Sequence, residues 1–501
     1  MKKDKPKPRE KRQPSLFVAL LPIVLMLFII GIGFSVLKLP LTMVLLMSGA
    51  AAGLVALYLG CTWEDMQEAI SEKVGRSTGA IMILMAVGML IGSWMISGTL
   101  PMMIYYGIQI INTKFLYVTA FLATAIVAVM SGTSYGAAGT MGVVVMSIAA
   151  TLNMSLPITA GAAVAGAYFG DKLSPLSDTT VLASTVTNTN IYDHIRHMLW
   201  TTLPASLLGL VVYLIAGFNS PGGAVDSELV TTMMSQFSQI YNWHILLLLP
   251  LAIVLIGSAM KYPTAPVMFI SSIVACILAM GIQGFSFVDV FNSCATGFKV
   301  TMVDKAGFDS AAVIPEVLKL VNRGGISSMM EMVLITYCAY IFGGIISCAG
   351  CLDVLLQKLQ TKVKTDSGII CSTVAASLLT SLIGGVSYLT IIVSAELFGD
   401  VYKERGLASC NLSRTLEDSG TVITALVPWT GGAVYMAATL GVATLDYLPW
   451  AIMNYTGFLF AIFYAITGIS IKRVAPEKPN KAKGATAEAE GLCAAGGAAE
   501  N

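Results

Sequence analysis

The chain has 501 residues, 56% of them hydrophobic, and only 57 charged side chains, 29 basic and 28 acidic. Eighteen of those charges lie at residues 1–14 and 472–501, which leaves 39 for the 457 residues between them, whereas a soluble chain is roughly 25% charged. This composition excludes an ordinary soluble enzyme. No basic patch lies outside the two ends, so we expect no nucleic-acid partner. The composition predicts a polytopic membrane protein whose main partner is the lipid bilayer.

Motifs of the common enzyme classes are missing from the sequence. It contains three histidines but no HExxH zinc motif and no GxSxG nucleophile motif. An intramembrane aspartyl protease would need a GxGD motif and a partner YD motif, of which Phe169-Gly170-Asp171 and Phe398-Gly399-Asp400 are partial matches. We therefore expect neither enzymatic activity nor a cofactor.

The apolar segments begin directly after a basic N-terminal end. Residues 1–14 carry seven Lys or Arg and are predicted to be cytoplasmic, and the apolar runs at 15–37 and 39–60 are each long enough to span a bilayer. Residues 472–501 are predicted to form a disordered cytoplasmic tail because they are rich in Ala, Gly, Glu and Lys. Further spanning or half-spanning segments are predicted near 79–98, 115–131, 137–152, 156–170, 198–217, 244–260, 263–283, 326–350, 367–383, 386–398, 421–440 and 447–471.

An internal repeat relates the two halves of the chain. We place the first repeat at 15–217, an external linker at 218–242 and the second repeat at 243–471. Each match between the halves is short, but their common order indicates a repeat, because chance matches need not be collinear. The matching pairs are Lys38-Leu-Pro40 with Lys261-Tyr-Pro263, Thr62–Asp65 with Ser286–Asp289, Ser134-Tyr135 with Ser387-Tyr388, and Pro175–Thr180 with Thr415–Gly420.

Charge predicts the orientation of the two halves. The linker 218–242 contains no Lys or Arg and is therefore predicted to be external, whereas Lys472 and Arg473 close the second half on the inside, where the loop 61–78 also lies. The loop 284–325 has four Lys or Arg, which conflicts with this scheme, although its length lets it escape the rule in part. The expected fold is an all-α polytopic membrane protein with two inverted-topology repeats, broken helices, re-entrant hairpins and about 11–13 membrane segments.

The first candidate site is a polar run at the end of an apolar segment. Pro175 withdraws a backbone donor and disfavours helix at Ser174, which predicts a broken helix. The carbonyls freed there, with carboxylates and hydroxyls, are the oxygen ligands that a hard cation prefers. The alternative is a polar surface loop in which Asp171 and Lys172 are solvated charges. The candidate ligands are Asp171, Ser174, Ser177, Asp178, Thr179 and Thr180, with Lys172 as a charge partner.

The second candidate site combines acids, a cation and a helix-breaking Pro-Gly set at 427–432. Asp418 occupies the repeat position of Asp178, so the inversion is expected to bring both carboxylates to one central site that exchanges a cation for a proton. The alternative is that Arg414 pairs with the acids as a structural cluster. The candidate ligands are Glu417, Asp418, Ser419 and Thr421, with Arg414 as a charge partner.

Two further motifs, at 131–136 and 384–388, place glycine breaks and hydroxyls inside apolar sequence. Each is either a hairpin tip that lines a site or a place of close helix packing through small residues, and both interpretations stay open. On the first interpretation the lining residues are Thr133, Ser134 and Ser387.

The motifs resemble those of a known transporter family. Gly170–Thr180 resembles the signature of the NhaC-type sodium/proton antiporters, and Arg414–Thr421 with Val427-Pro-Trp429 resembles that family's second-half signature, although Thr430 stands where Asn is expected. The resemblance covers about residues 15–472. It implies a protein of the bacterial inner membrane, within the wider ion transporter superfamily, that exchanges cytoplasmic sodium for protons. The family also includes members similar to the malate/sodium-lactate antiporter.

Two transport functions remain as hypotheses. The first is a sodium/proton antiporter that works by alternating access around midplane carboxylates, with sodium at Asp178 and Asp418. The alternative is an exchanger of small carboxylates of the malate or lactate type, coupled to protons and sodium, in which Arg414 and Lys172 clamp the anion. Sodium, protons and, in the alternative, small organic acids are the expected transported species, and a homodimer is left open.

Overall fold

The structure is a computed structural model, and it is 82% helical. Within the described residues no strand is formed, which confirms the predicted all-α polytopic fold class. Predictions made for residues 1–11, 221–226 and 475–501, and for Lys38 and Lys261 in the repeat, lie outside the described residues. The described residues are 12–37, 39–76, 78–220, 227–260, 262–361 and 365–474.

The first half folds into apolar helices that often begin at a side-chain cap. Ser15 accepts a hydrogen bond from the N–H of Val18, and Asn190 accepts from the N–H groups of Tyr192 and Asp193. A π-helical turn extends the first helix at Gly31–Val36 and another lies at Ala138–Gly142. The α-helices described here are α1 (Leu16–Ile30), α2 (Leu41–Tyr58), α3 (Trp63–Arg76), α4 (Thr78–Ser97), α5 (Thr99–Ile110), α6 (Leu116–Ser131), α7 (Ser134–Ala137), α8 (Val143–Thr151), α9 (Leu156–Leu173), α10 (Asp178–Val186) and α11 (Ile191–Asn219).

Helices of the second half end repeatedly at glycine. Gly441 and Gly468 follow their helices with φ of +71° and +75°, a conformation that glycine adopts without a Cβ clash. π-Helical turns lie at Ala279–Gln283 and Glu417–Thr421. The α-helices described here are α12 (Ser227–Ile240), α13 (Leu249–Ala259), α14 (Thr264–Leu278), α15 (Phe287–Thr296), α16 (Pro315–Val321), α17 (Met330–Cys348), α18 (Cys351–Thr361), α19 (Asp366–Gly384), α20 (Ser387–Glu404), α21 (Ser409–Leu416), α22 (Gly431–Leu440), α23 (Thr444–Tyr447) and α24 (Ile452–Thr467).

The number of membrane spans depends on how bent helices are counted. Among the described residues, eight helices are long and apolar enough to cross a bilayer, and the number rises to eleven if each of three bent pairs is one span. The pairs bend by 73°, 99° and 57°. The higher number is the lower bound of the predicted 11–13 segments, and the bent pairs agree with the predicted broken helices.

Three segments differ in detail from the sequence prediction. The loop predicted at 61–78 contains the amphipathic helix α3, which begins with reciprocal hydrogen bonds between Thr62 and Asp65. The linker predicted at 218–242 contains α12. The segment predicted at 421–440 is not one helix, because Pro428 and its neighbours interrupt it between a 3₁₀ turn and α22. Periodicity alone does not distinguish such short elements from loops or from longer helices.

Helices of the two halves pack against each other reciprocally. α2 packs on α17 while α14 packs on α4, and α3 packs on α17 while α15 packs on α4. α3 and α15 also start alike, since Ser286 and Asp289 cap α15 as Thr62 and Asp65 cap α3. The breaks or turns that follow α6, α9, α19 and α21 are buried in the interior of the protein, at Gly132, Ser174, Gly385 and 417–421.

Small residues hold α9 against α6. A Cβ atom added at Gly166 would collide with the carbonyl oxygen of Phe121, and one at Gly170 would collide with that of Ala125. The two helix backbones therefore approach as closely as small-residue packing allows. The contact places the polar end of α9 beside the break that follows α6.

Candidate functional site

A cavity of about 270 Å³ lies where the helix breaks of both halves meet. Its wall contains carboxylates, hydroxyls, tyrosines and glycines that come from helices of both halves or from the ends of those helices. It includes eight of the predicted site residues, namely Thr133, Ser134, Asp171, Ser177, Asp178, Thr179, Ser387 and Thr421. The sequence motifs of both halves therefore converge on one space.

The first motif forms the broken helix that the sequence predicts. α9 ends at Leu173, and Ser174 is extended with φ −87° and ψ 125°. Ser177 then caps α10 by accepting a hydrogen bond from the N–H of Thr180 at 3.4 Å. Asp178 is the first residue of α10, so its carboxylate lies at the favourable end of the helix dipole.

Left-handed glycines produce the breaks that follow α6 and α19. Gly132 ends α6 with φ +67°, and Gly385 ends α19 with φ +70°. A Cβ atom at Gly132 would lie 2.6 Å from the carbonyl carbon of Leu176, so this break also packs against the break after α9. Thr133, Ser134 and Ser387 follow these glycines and lie on the cavity wall. The sequence left two interpretations open for these motifs, lining of a site and close packing. At the break after α6 both are found, since Thr133 and Ser134 line the cavity and Gly132 packs against Leu176.

Two carboxylates reach the cavity wall. Asp178 Oδ2 accepts a hydrogen bond from the hydroxyl of Tyr388 at 2.6 Å. Asp171 is buried and lies beside the side chains of Ser134 and Ser177. The two acids thus face the same space, and hydroxyl groups from both halves surround them.

The second motif adopts a conformation that the sequence did not predict. Glu417–Thr421 forms a π-helical turn that continues α21, a feature often found at functional sites. Within it, Thr421 donates to Glu417 Oε2 at 2.5 Å. Glu417 Oε1 and Asp418 Oδ2 are buried and have no hydrogen-bond partner in the described part of the chain. The turn thus brings two acids into the interior beside the cavity.

A buried ion pair joins the two motifs. Lys172 Nζ lies 2.5 Å from Asp418 Oδ1, and the two side chains are only 2% and 0% exposed. The alternative in which Asp171 and Lys172 are solvated surface charges is therefore wrong. Arg414 is also buried, and it donates to Ser470 at 2.8 Å. The alternative paired Arg414 with Glu417 and Asp418, but in the structure Asp418 pairs with Lys172.

Several predicted ligands hold the backbone and do not line the cavity. Ser174 donates to the carbonyl oxygen of Val129 at 2.8 Å and thereby ties the break after α9 to α6. Ser419 donates to the carbonyl oxygen of Thr415 at 2.6 Å, and Thr180 lies 3.4 Å from the carbonyl oxygen of Asp171. The predicted residues that are not on the wall are Lys172, Ser174, Thr180, Arg414, Glu417, Asp418 and Ser419.

The sequence prediction missed the aromatic part of the wall. Tyr135 stacks on Tyr435 with ring centroids 4.3 Å apart, and the hydroxyl of Tyr435 donates to the carbonyl oxygen of Tyr135 at 2.6 Å. The repeated Ser-Tyr pair at 134–135 and 387–388 could have indicated Tyr135 and Tyr388, because both tyrosines follow a break directly. The tyrosines on the wall are Tyr135, Tyr168, Tyr340 and Tyr388.

The donor set suits a cation that binds through oxygen atoms. Carboxylate and hydroxyl oxygens are the ligands of hard cations, whereas tightly held transition metals take His and Cys. No cluster of three or more His, Cys, Asp or Glu side chains with metal-site geometry occurs among the described residues.

Comparison with known sequences identifies the family. A sequence model described as "Na+/H+ antiporter family" matches residues 166–469, more than half of the chain. The chain belongs to the Na+/H+ antiporter family. It is 45% identical to an "Uncharacterized Na(+)/H(+) antiporter" of Haemophilus influenzae over 464 residues, which cover 92% of this chain and 98% of that protein.

Other relatives in the Na+/H+ antiporter family carry more specific names. The chain is 33% identical to "Na(+)/H(+) antiporter NhaC" of Alkalihalophilus pseudofirmus, over 92% of this chain and 97% of that protein. It is 32% identical to the "Malate-2H(+)/Na(+)-lactate antiporter" of Bacillus subtilis, over 92% and 96%. These matches confirm the resemblance noted in the sequence and place the chain in a family of membrane transporters rather than in an enzyme family.

Proposed function

We propose that this member of the family is a secondary antiporter that exchanges sodium for protons across the bacterial inner membrane. The observation that carries the proposal is the cavity at the meeting point of the helix breaks, with Asp171 and Asp178 on its wall among hydroxyls. Carboxylates there bind either sodium or a proton, and the two ions compete because a carboxylate must lose its proton to coordinate sodium. Competition at one site is sufficient to couple the two fluxes.

The geometry favours Asp178 and Asp171 as the first cation ligands. The sequence prediction placed sodium at Asp178 and Asp418, but in this conformation Lys172 occupies one oxygen of Asp418. We propose that Asp418 and Glu417 join the cation site when Lys172 moves away. Their unpartnered oxygens support this role, because buried polar atoms normally have a partner.

Charge on the wall argues against the alternative of carboxylate exchange. Among the described residues, the wall contains two acids and no Lys, Arg or His. The carboxylate exchanger would need Lys172 and Arg414 to clamp the anion. Lys172 pairs with Asp418 instead, and Arg414, which is not on the wall, donates to Ser470 through one of its three nitrogens. An organic anion would therefore meet negative charge in this cavity, even though one relative is named for malate and lactate.

Sodium-dependent proton flux in proteoliposomes tests the proposal. With the purified protein and an imposed proton gradient, adding sodium should move protons, and adding malate plus lactate should not change the initial rate. Empty liposomes and potassium in place of sodium are the controls. Flux that appears only with the organic acids would replace this proposal with the carboxylate exchanger, and no flux with either would end both.

The same assay at several pH values tests the shared site. Because protons compete with sodium for the same carboxylates, the sodium KM should rise by up to about tenfold per unit as the pH falls from 9 to 6. The maximal rate at saturating sodium separates this effect from any change in turnover. A KM that stays flat across the range would mean that protons and sodium use separate sites.

We further propose that the protein works by alternating access between two inverted repeats, with both termini inside. Three observations support the repeat. The left-handed glycines Gly132 and Gly385 lie at the same offset of 253 residues as the Ser-Tyr pairs that follow them. The Thr62–Asp65 and Ser286–Asp289 caps lie at an offset of 224. The packing of α2 and α3 on α17 mirrors that of α14 and α15 on α4.

Cysteine labelling tests the orientation. In a variant without the nine native cysteines, Ser220→Cys should react with a membrane-impermeant maleimide added outside intact cells. Glu404→Cys is the matched control. Glu404 is exposed at the end of α20, where its neighbour Arg405 pairs with Asp366, and Asp366 also pairs with Arg473, a residue predicted to be inside. This control variant should react only in inverted vesicles. Labelling of Ser220→Cys from the cytoplasmic side alone would overturn the orientation.

A further inference from the structure

The amphipathic helix α3 sends one long side chain to a helix break at the cavity. Lys73 Nζ donates a hydrogen bond to the carbonyl oxygen of Ile383 at 3.1 Å. Ile383 lies two residues before Gly385, whose left-handed conformation ends α19 and which lies on the cavity wall. The contact spans 310 positions of sequence, so it joins an element outside the membrane spans to the candidate site.

Lys73 is one of several groups that bind the freed carbonyls of α19. A helix leaves its last four carbonyls without helical partners. The indole N–H of Trp429 donates to the carbonyl oxygen of Leu382 at 2.8 Å, and the N–H of Gly431 donates to that of Gly385 at 3.1 Å. Of these donors, Lys73 alone is ionisable. A cation at this end also interacts favourably with the helix dipole.

Two glycines of the neighbouring helix α17 leave space for the side chain of Lys73. A Cβ atom added at Gly343 of α17 would collide with Lys73 Nζ, and one at Gly344 would lie 2.8 Å from the Cα of Ile70. Two successive glycines of α17 therefore make room for α3 and its lysine. The side chain fills a specific path to the break and is not a loosely placed surface lysine.

The helices near Lys73 carry several ionisable groups in the described residues. α3 itself carries Glu72 beside Lys73 and further acids towards its start, whereas α4 carries none. α17 carries Glu331 at its far end, with Tyr337, Cys338, Tyr340 and Cys348, and α19 carries Asp366 and Cys371. Burial of the ammonium lowers the pKa of Lys73 to about 8. The lysine therefore changes charge near pH 8.

We propose that Lys73 is a positioning residue that makes turnover pH-dependent by holding the end of α19, and hence one wall of the cavity, only while it is protonated. The proposal rests on the proposed antiport function. The protonated amine fixes the break in the arrangement seen here, and loss of the proton above pH 8 weakens the hold. Because the break must move for access to alternate, turnover should rise through this pH range.

Turnover at saturating sodium is the first test, since saturation removes the competition between protons and sodium. The maximal rate of the wild type should rise severalfold from pH 7 to pH 9. Lys73→Met should already show the high rate at pH 7, and Lys73→Arg, which stays charged, should keep the low rate at pH 9. Lys305→Met is the matched control, because Lys305 also donates to a backbone carbonyl, that of Gln239, but neither residue is on the cavity wall. It should follow the wild type.

Hydrogen exchange of residues 381–390 is the second test, and it does not depend on transport. A hydrogen bond from a charged group biases an equilibrium about tenfold or more, so at pH 7 this segment should exchange about tenfold faster in Lys73→Met than in the wild type. The two proteins should converge at pH 9.5. Equal exchange at pH 7, or an unchanged rise of turnover in both Lys73 variants, would overturn the inference. If exchange differs but sodium moves no protons, the hold on α19 stands and the antiport proposal fails.

Discussion

Asp178→Asn should abolish sodium-dependent proton flux and leave the protein folded. In the wild type the hydroxyl of Tyr388 donates to Asp178 Oδ2 at 2.6 Å. Asparagine has the same shape as aspartate and keeps one oxygen that can accept this hydrogen bond. The substitution removes the negative charge and the proton that exchange requires. At an effective dielectric constant of about 20, two unit charges 4 Å apart attract by about 4 kcal/mol. Even after screening by water in the cavity, sodium affinity should fall by at least about tenfold to a hundredfold.

Two matched variants separate loss of charge from loss of structure. Asp193→Asn removes an acid from the first turn of α11, away from the cavity wall, and should keep normal flux. Tyr388→Phe removes only the hydrogen bond to Asp178 and should shift the sodium KM without abolishing flux. Thermal unfolding in detergent should be alike for all three variants. Normal sodium-dependent flux in Asp178→Asn would exclude this carboxylate as the cation ligand.

The break after α9 could be predicted from the sequence because its causes are local. Pro175 removes a backbone donor and restricts Ser174, and the polar residues that follow supply a helix cap at Ser177. The breaks at Gly132 and Gly385 also have a local cause, because glycine adopts the left-handed conformation that ends a helix more easily than other residues do. Such features depend on a few neighbouring residues, so they can be recognised without knowing what packs around them.

The charge pairing inside the site could not be predicted in the same way. Arg414 lies four residues from Asp418, which made it the obvious partner, yet the partner in the structure is Lys172, 246 positions away. The π-helical turn at Glu417–Thr421 reorients the acids relative to Arg414, and composition does not distinguish that turn from an α-helical one. The role of Lys73 likewise depends on a contact across 310 positions.

Asp418→Asn should destabilise the protein strongly, in contrast to Asp178→Asn. It would leave the ammonium of Lys172 buried without a counter-ion, and breaking a buried pair in this way costs about 3–5 kcal/mol. The expected result is a clear fall in the thermal unfolding temperature in detergent. Lys172→Met should do the same, because it leaves the carboxylate of Asp418 uncompensated.

The double variant Lys172→Met/Asp418→Leu decides what the pair is for. Replacing both partners by apolar side chains removes the buried charges together, so stability should return to near that of the wild type. Flux should nevertheless stay absent if Asp418 joins the cation site, since the second carboxylate is gone. The pair Asp400 and Lys403 is the surface control: its charges are 3.6 Å apart and largely exposed, so breaking it should change little. A double variant that is stable and still exchanges sodium for protons would make the buried pair purely structural and confine the cation to Asp171 and Asp178.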